Sequence, residues 1–114
     1  MERIFIGLLR LRIRVLGVST LKGRRRPIKS LVDRVANRYG VTLHEVASSM
    51  QPARVTLAMS TCGNDRQQIR TLLERVERSV GSNPDLEVMD QSIDVFRWQE
   101  EGSFAAEDWD TPFE

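Results

Sequence analysis

The densest group of side chains that could do chemistry lies in the run Leu21–Ser30, "LKGRRRPIKS", where five of ten residues are basic and none is acidic. Such a run binds phosphate, steers an acidic partner, or keeps a loop hydrated. The candidate phosphate ligands in it are Lys22, Arg24, Arg25, Arg26 and Lys29. Pro27 lacks the N–H that a helix interior needs, which predicts a helix starting near residues 23–26. Free backbone N–H groups at that helix start would add to the attraction for an anion.

A second candidate group is Arg10, Arg12 and Arg14, which alternate with apolar residues and so project from one face of a predicted strand. Guanidinium groups on that face can hold phosphates as secondary ligands. Two alternatives stay open: pairing with Asp90 and Asp94 of the last strand, or burial in a homodimer. The face is expected to offer no aromatic pair, so base stacking of the kind used by RNA-recognition domains is not predicted.

Residues for acid–base or metal chemistry are few. The sequence has one His, His44, and one Cys, Cys62, so a zinc site of thiolates and imidazoles is not expected. We interpret His44 as a surface residue and Cys62 as a small apolar filler. No catalytic residue, metal or other cofactor is predicted, and no apolar stretch is long enough to cross a membrane. A lone cysteine fits a reducing cytoplasm.

The apolar pattern predicts two helices and four strands. Both helices repeat the spacing i, i+3, i+4, i+7 and i+11, from Ile28 and from Ile69. Strands are predicted at Ile4–Val15, at Val41–Ala47, at Val55–Ser60, and at Leu86–Trp98. The order βαββαβ predicts an α+β, ferredoxin-like sandwich with an antiparallel sheet of order 4-1-3-2 and both helices on one face.

The sequence is predicted to form a domain, residues 1–98, which ends with the last strand, and an acidic tail, residues 99–114. Charge is unevenly distributed along the chain. Residues 1–38 carry a net charge of +9, and residues 85–114 carry −9. The tail has six acidic residues, no apolar period, and three aromatic residues, a composition that predicts disorder. Our hypothesis is that the tail partially masks the basic stretch 22–29 as a mimic of RNA.

The segment "TLKGRRRPIKSLVDRVANRYGVTLHEV" resembles the start of YlxP-like proteins, a bacterial family of small domains. The matching residues are Leu21, Lys22, Arg25, Arg26, Lys29, Ser30, Leu31, Asp33, Arg34, Glu45 and Val46, with "NDR" at 64–66. Gly23, Pro27 and the connection "ASSMQPA" depart from the family pattern. The resemblance implies a ferredoxin-like fold. Members are often encoded beside translation initiation factor two and ribosome-binding factor A, which implies work near the small ribosomal subunit.

Three functional hypotheses follow. The leading one is a non-enzymatic factor that binds RNA or the small ribosomal subunit through the basic strand and helix residues. The second is a regulatory or interaction module that dimerises through the open sheet face. The third is an acylphosphatase-like enzyme with phosphate in the loop "GVSTLKGRRR", although that loop lacks the acylphosphatase signature and the second strand has no Asn or Gln.

Overall fold

The predicted order of elements is confirmed by a computed structural model, which describes residues 2–49, 51 and 53–99. The elements are β1 Ile4–Val15, α1 Arg25–Tyr39, β2 His44–Ser48, β3 Arg54–Gly63, α2 Arg66–Gly81 and β4 Leu86–Trp98. Residues 100–114, on which the predicted disorder and masking fall, lie outside the described residues.

The four strands form one antiparallel sheet in the order β2-β3-β1-β4, which is the predicted order read from the other edge. β1 is central and pairs along its length with β3 and β4. The β1–β4 register shifts after Arg12, so that Met89 becomes the extra residue of a bulge. β2 starts at His44, later than predicted, because its pairing with β3 begins there, opposite Ala58, and the buried Leu43 precedes that pairing.

The core lies between the sheet and the two helices. β1 alternates as predicted, with Leu9, Leu11 and Ile13 buried and the arginines between them exposed. The buried helix residues belong to the same apolar cluster: Ile28, Leu31 and Val35 of α1, and Ile69, Leu73, Val76 and Val80 of α2. Both helices therefore cover one face of the sheet, and the opposite face, which we call the open face, carries no helix.

Gly7 sets how closely α2 approaches the central strand. A Cβ atom built on Gly7 would collide with the Ile69 side chain and come within 2.9 Å of Leu73 Cδ1. The absence of a side chain at this position therefore lets the first half of α2 rest on the backbone of β1. This close packing fixes where the polar surface of α2 lies relative to the sheet.

Candidate nucleic-acid interface

The basic run lies where the sequence predicted it, at the start of α1. The helix begins at Arg25, so Pro27 is its third residue and falls in the first turn. Lys22, Arg25 and Arg26 are exposed, and the described residues hold no ion-pair partner for any of them. Three adjacent cations are therefore open to an external anion.

Lys29 is the fourth exposed cation of the run. Its Nζ atom donates to the Asp33 carboxylate at 2.9 Å, one helical turn further on, and both side chains are well exposed. Exposed pairs of this type contribute only about 0.3–0.5 kcal/mol to stability. Lys29 can therefore exchange Asp33 for a phosphate at little cost.

Arg24 behaves differently from the arginines that follow it. Only 8% of its surface is exposed. Its Nη1 atom donates to the carbonyl oxygen of Arg54 at 3.1 Å, and its Nη2 atom donates to Oε1 of Glu45 at 3.1 Å. Arg24 thus ties the start of α1 to β2 and β3. Because its charge is already bonded inside the protein, we remove Arg24 from the candidate phosphate ligands.

The backbone at the helix start adds less than the sequence suggested. The N–H of Gly23 donates to the Thr20 hydroxyl at 2.9 Å, and the N–H of Arg25 donates to the carbonyl oxygen of Lys22 at 3.2 Å. Pro27 has no N–H to offer. Attraction for an anion at this end of α1 therefore rests mainly on the basic side chains.

The arginines of β1 are paired across the sheet, which is one of the alternatives that the sequence left open. Asp90 accepts hydrogen bonds from both Arg10 and Arg12 at 3.2 Å. Glu87 accepts one from Arg14 at 3.0 Å. Asp94 shares their face but lies opposite Leu8, and none of the ion pairs between described residues includes it. The charge of the three arginines is therefore largely offset on the open face.

A second group of exposed arginines lies between the two helices and was missed by the sequence reasoning. Arg38 of α1 and Arg75 and Arg78 of α2 line a groove of about 610 Å³ together with Ser79. No carboxylate among the described residues forms an ion pair with these arginines. Their positions on the polar faces of two predicted helices were visible in the sequence, but the way the helices bring them together was not.

The layer of the two helices is strongly basic. α1 has five basic residues and one acidic residue, and α2 has four basic and two acidic, so the helices together carry a net charge of +6. We define the helical surface as the exposed basic residues of α1, of the loop before it and of the groove between the helices. These are Lys22, Arg25, Arg26, Lys29, Arg34, Arg38, Arg75 and Arg78. This surface, rather than the open face, is where an extended polyanion would be attracted.

The open face does carry an aromatic pair, so the expectation that it has none is wrong. In the β1–β4 register, Phe96 lies opposite Ile6 and Trp98 lies opposite Ile4. Phe96 is 43% exposed, and Leu8 on the same face is 44% exposed. We define these five residues as the apolar end of the open face. Phe96 and Trp98 lie an even number of residues from Asp90 and Asp94 along β4, so the four side chains share one face. Extending the strand alternation to residue 98 would have found the aromatic pair.

The isolated His and Cys have surface positions. His44 is exposed on β2, as expected. Cys62 is exposed too and lies opposite Ile6 on the open face, so its interpretation as an apolar filler is wrong. In the part of the chain that the structure describes, no three His, Cys, Asp or Glu residues are grouped closely enough to hold a metal ion. Neither described helix is long and apolar enough to cross a membrane.

The fold defines a small α+β protein with the strand order of a ferredoxin-like sandwich. The chain belongs to the family described as a protein of unknown function (DUF503), whose model matches residues 6–93. Among solved structures, it is similar to a de novo designed protein, Foldit4, at 20% identity and a TM-score of 0.42, over 83% of this chain and 98% of that one. No curated protein matches the sequence.

Proposed function

We propose that the protein is a YlxP-like, non-enzymatic cytoplasmic factor that binds the phosphate backbone of RNA, in particular RNA of the small ribosomal subunit, through the helical surface. One observation carries the proposal. The exposed cations of the helical surface have almost no carboxylate partners among the described residues, whereas the arginines of β1 are paired with Asp90 and Glu87. Like charges held together without counter-charges favour an external polyanion.

The chemistry of the surface suits backbone binding rather than sequence reading. Lysine and arginine side chains on an exposed helix contact phosphates, which position the protein without identifying bases. If about five side chains each neutralise one phosphate, log K should fall with log salt with a slope of about −3.5 for single-stranded RNA. The resemblance to YlxP-like proteins supports the small ribosomal subunit as the source of that RNA.

The experiment compares two double variants that remove the same charge from opposite layers. Arg25→Ala/Arg26→Ala removes two unpaired cations, and Arg10→Ala/Arg12→Ala removes two paired ones. Binding of a fluorescently labelled small-subunit RNA fragment is measured by anisotropy across a salt series, and co-sedimentation with small ribosomal subunits is measured in parallel. We expect the first variant to bind about tenfold more weakly and to reduce the salt slope by about 1.5, while the second changes affinity by about twofold.

The proposal fails if RNA affinity does not depend on salt, or if the sheet variant loses as much affinity as the helix variant. Loss of binding in Arg75→Ala/Arg78→Ala would extend the contact to the groove between the helices. An acylphosphatase-like activity has less support, because the amides of Gly23 and Arg25 in the loop after β1 already donate to protein oxygens.

A further inference from the structure

RNA binding through the helices leaves the apolar end of the open face unused. It joins the start of β1 to the end of β4 on the side of the sheet that no helix covers. Its aromatic and aliphatic side chains neighbour one another across the strand pair, as in a buried sheet face. Contiguous exposed apolar side chains of this kind mark a surface that something else covers.

The chain itself supplies an occupant. β4 ends at Trp98, inside the apolar end, and residues 100–114 follow directly. That stretch contains three aromatic residues, Phe104, Trp109 and Phe113. We propose that the occupant of the apolar end is residues 100–114 of the same chain, which dock on it through these aromatic side chains.

The distances favour this destination. Ile4 and Leu8 are four residues apart along β1, or about 13 Å. Phe104 follows Trp98 by six positions, and six residues of chain reach at most about 20 Å. The segment is therefore long enough to reach any part of the apolar end, and the tether keeps its local concentration high.

The basic run is a less favourable destination for the same segment. Trp98 lies opposite Ile4, and Leu86 lies opposite Val15, so the segment leaves from the end of the sheet opposite to the loop that leads into α1. Ile4 and Val15 are eleven positions apart along β1, or about 36 Å. Reach alone therefore favours the apolar end over residues 22–29.

Charge also permits the contact. Arg3 and Arg97 are exposed at the same end of the sheet, and no ion pair between described residues includes either of them. The segment carries six acidic residues among its aromatics. Arg97 lies opposite Phe5 and so projects toward the helix-covered side of the sheet. Because β4 is an edge strand, the carboxylates can approach Arg97 around that edge while the rings contact the apolar side chains of the open face.

Cys62 provides a built-in reporter, because it is the only cysteine and lies opposite Ile6 at the apolar end. The rate at which its thiol reacts with Ellman's reagent is measured in the full chain. The test variant is Phe104→Ser/Trp109→Ser/Phe113→Ser, and the matched control is Ala105→Ser/Ala106→Ser/Thr111→Ser. If the segment covers the surface about two-thirds of the time, the test variant should react about threefold faster. The control should react at the original rate.

Two results would overturn the proposal. Equal thiol rates in the full chain and the test variant would mean that the aromatic residues of the segment cover nothing. A rate that falls as protein concentration rises, with a matching dimer in sedimentation equilibrium, would identify a second copy as the occupant. Nuclear Overhauser contacts between the segment's rings and the methyl groups of Ile6 or Leu8, recorded on the unmodified chain, give an independent answer that does not depend on how the variants fold.

Discussion

Replacing Arg24 with Ala should destabilise the protein, whereas the same change at Arg25 should not. The two residues are neighbours in an arginine triplet, but only Arg24 is buried and bonded to Glu45 and to the backbone of Arg54. Arg25 is exposed and has no ion-pair partner among the described residues. The comparison therefore separates a structural arginine from one that is available for binding.

The expected loss can be worked out from the contacts of Arg24. A hydrogen bond from a charged donor contributes about 1.5 kcal/mol. The ion pair contributes about 1 kcal/mol, a reduced figure because the Glu45 side chain is 36% exposed and can be rehydrated. Two further buried methylenes contribute about 1.6 kcal/mol. Freed side-chain rotamers return about 1.5 kcal/mol, which leaves a net loss of about 2–3 kcal/mol.

Urea unfolding followed by circular dichroism is a suitable assay. For a domain of this size, a loss of about 2–3 kcal/mol lowers the unfolding midpoint by about 1–2 M urea. Arg25→Ala should change the free energy of unfolding by less than about 0.5 kcal/mol. A double-mutant cycle with Arg24→Met and Glu45→Gln, which keeps the apolar stem of residue 24, should give a coupling energy of about 1 kcal/mol.

The reasoning is refuted if Arg24→Ala and Arg25→Ala unfold at the same urea concentration. A coupling energy near zero would refute the ion pair specifically, while a midpoint still lowered by Arg24→Ala would leave the packing of the stem and the hydrogen bond to the Arg54 carbonyl as the causes. Either result can be read without any RNA-binding measurement, so stability and binding at the triplet are tested separately.

Three further changes have expected outcomes. Gly7→Ala should lower stability by about 1–3 kcal/mol in urea unfolding, because its Cβ collides with Ile69, and a neutral result would mean that α2 can shift. Asp65→Ala should cost about 1 kcal/mol in the same assay, because the Asp65 side chain accepts the Gln68 N–H at the start of α2. Asp90→Asn should cost less than about 1 kcal/mol, because both of its arginine pairs are exposed, and thermal melting with added salt should show the difference shrinking.

The fold was accessible from the sequence because local patterns and global architecture agree. Alternation in β1 identified a central strand with one buried face, and the identical spacing in the two helices indicated that both pack on one sheet. Four strands and two helices in the order βαββαβ then leave few possible topologies. The start of β2 was predicted too early, because Leu43 is as apolar as a strand residue but is buried in the connection.

The site was less accessible because it depends on tertiary contacts. Nothing local distinguishes Arg24 from Arg25, since the partners of Arg24 belong to β2 and β3. The groove residues on α1 and α2 come together only once the helices pack. By contrast, the pairing of Asp90 with the β1 arginines follows from strand order and parity, and it was among the alternatives that the sequence offered.

The two-sided construction of β1 has a consequence for how the chain tolerates substitution. Odd-numbered positions from Phe5 to Val15 face the helices, and even-numbered positions face the open side. A saturation scan of β1 should therefore show tolerance to charge rising and falling with a period of two. Among the even positions, Arg10, Arg12 and Arg14 should tolerate a change of charge. Ile4, Ile6 and Leu8 should not tolerate a charge if the apolar end is covered. The mutational profile of β1 would then distinguish positions that face the core, positions that face solvent, and positions that residues 100–114 cover.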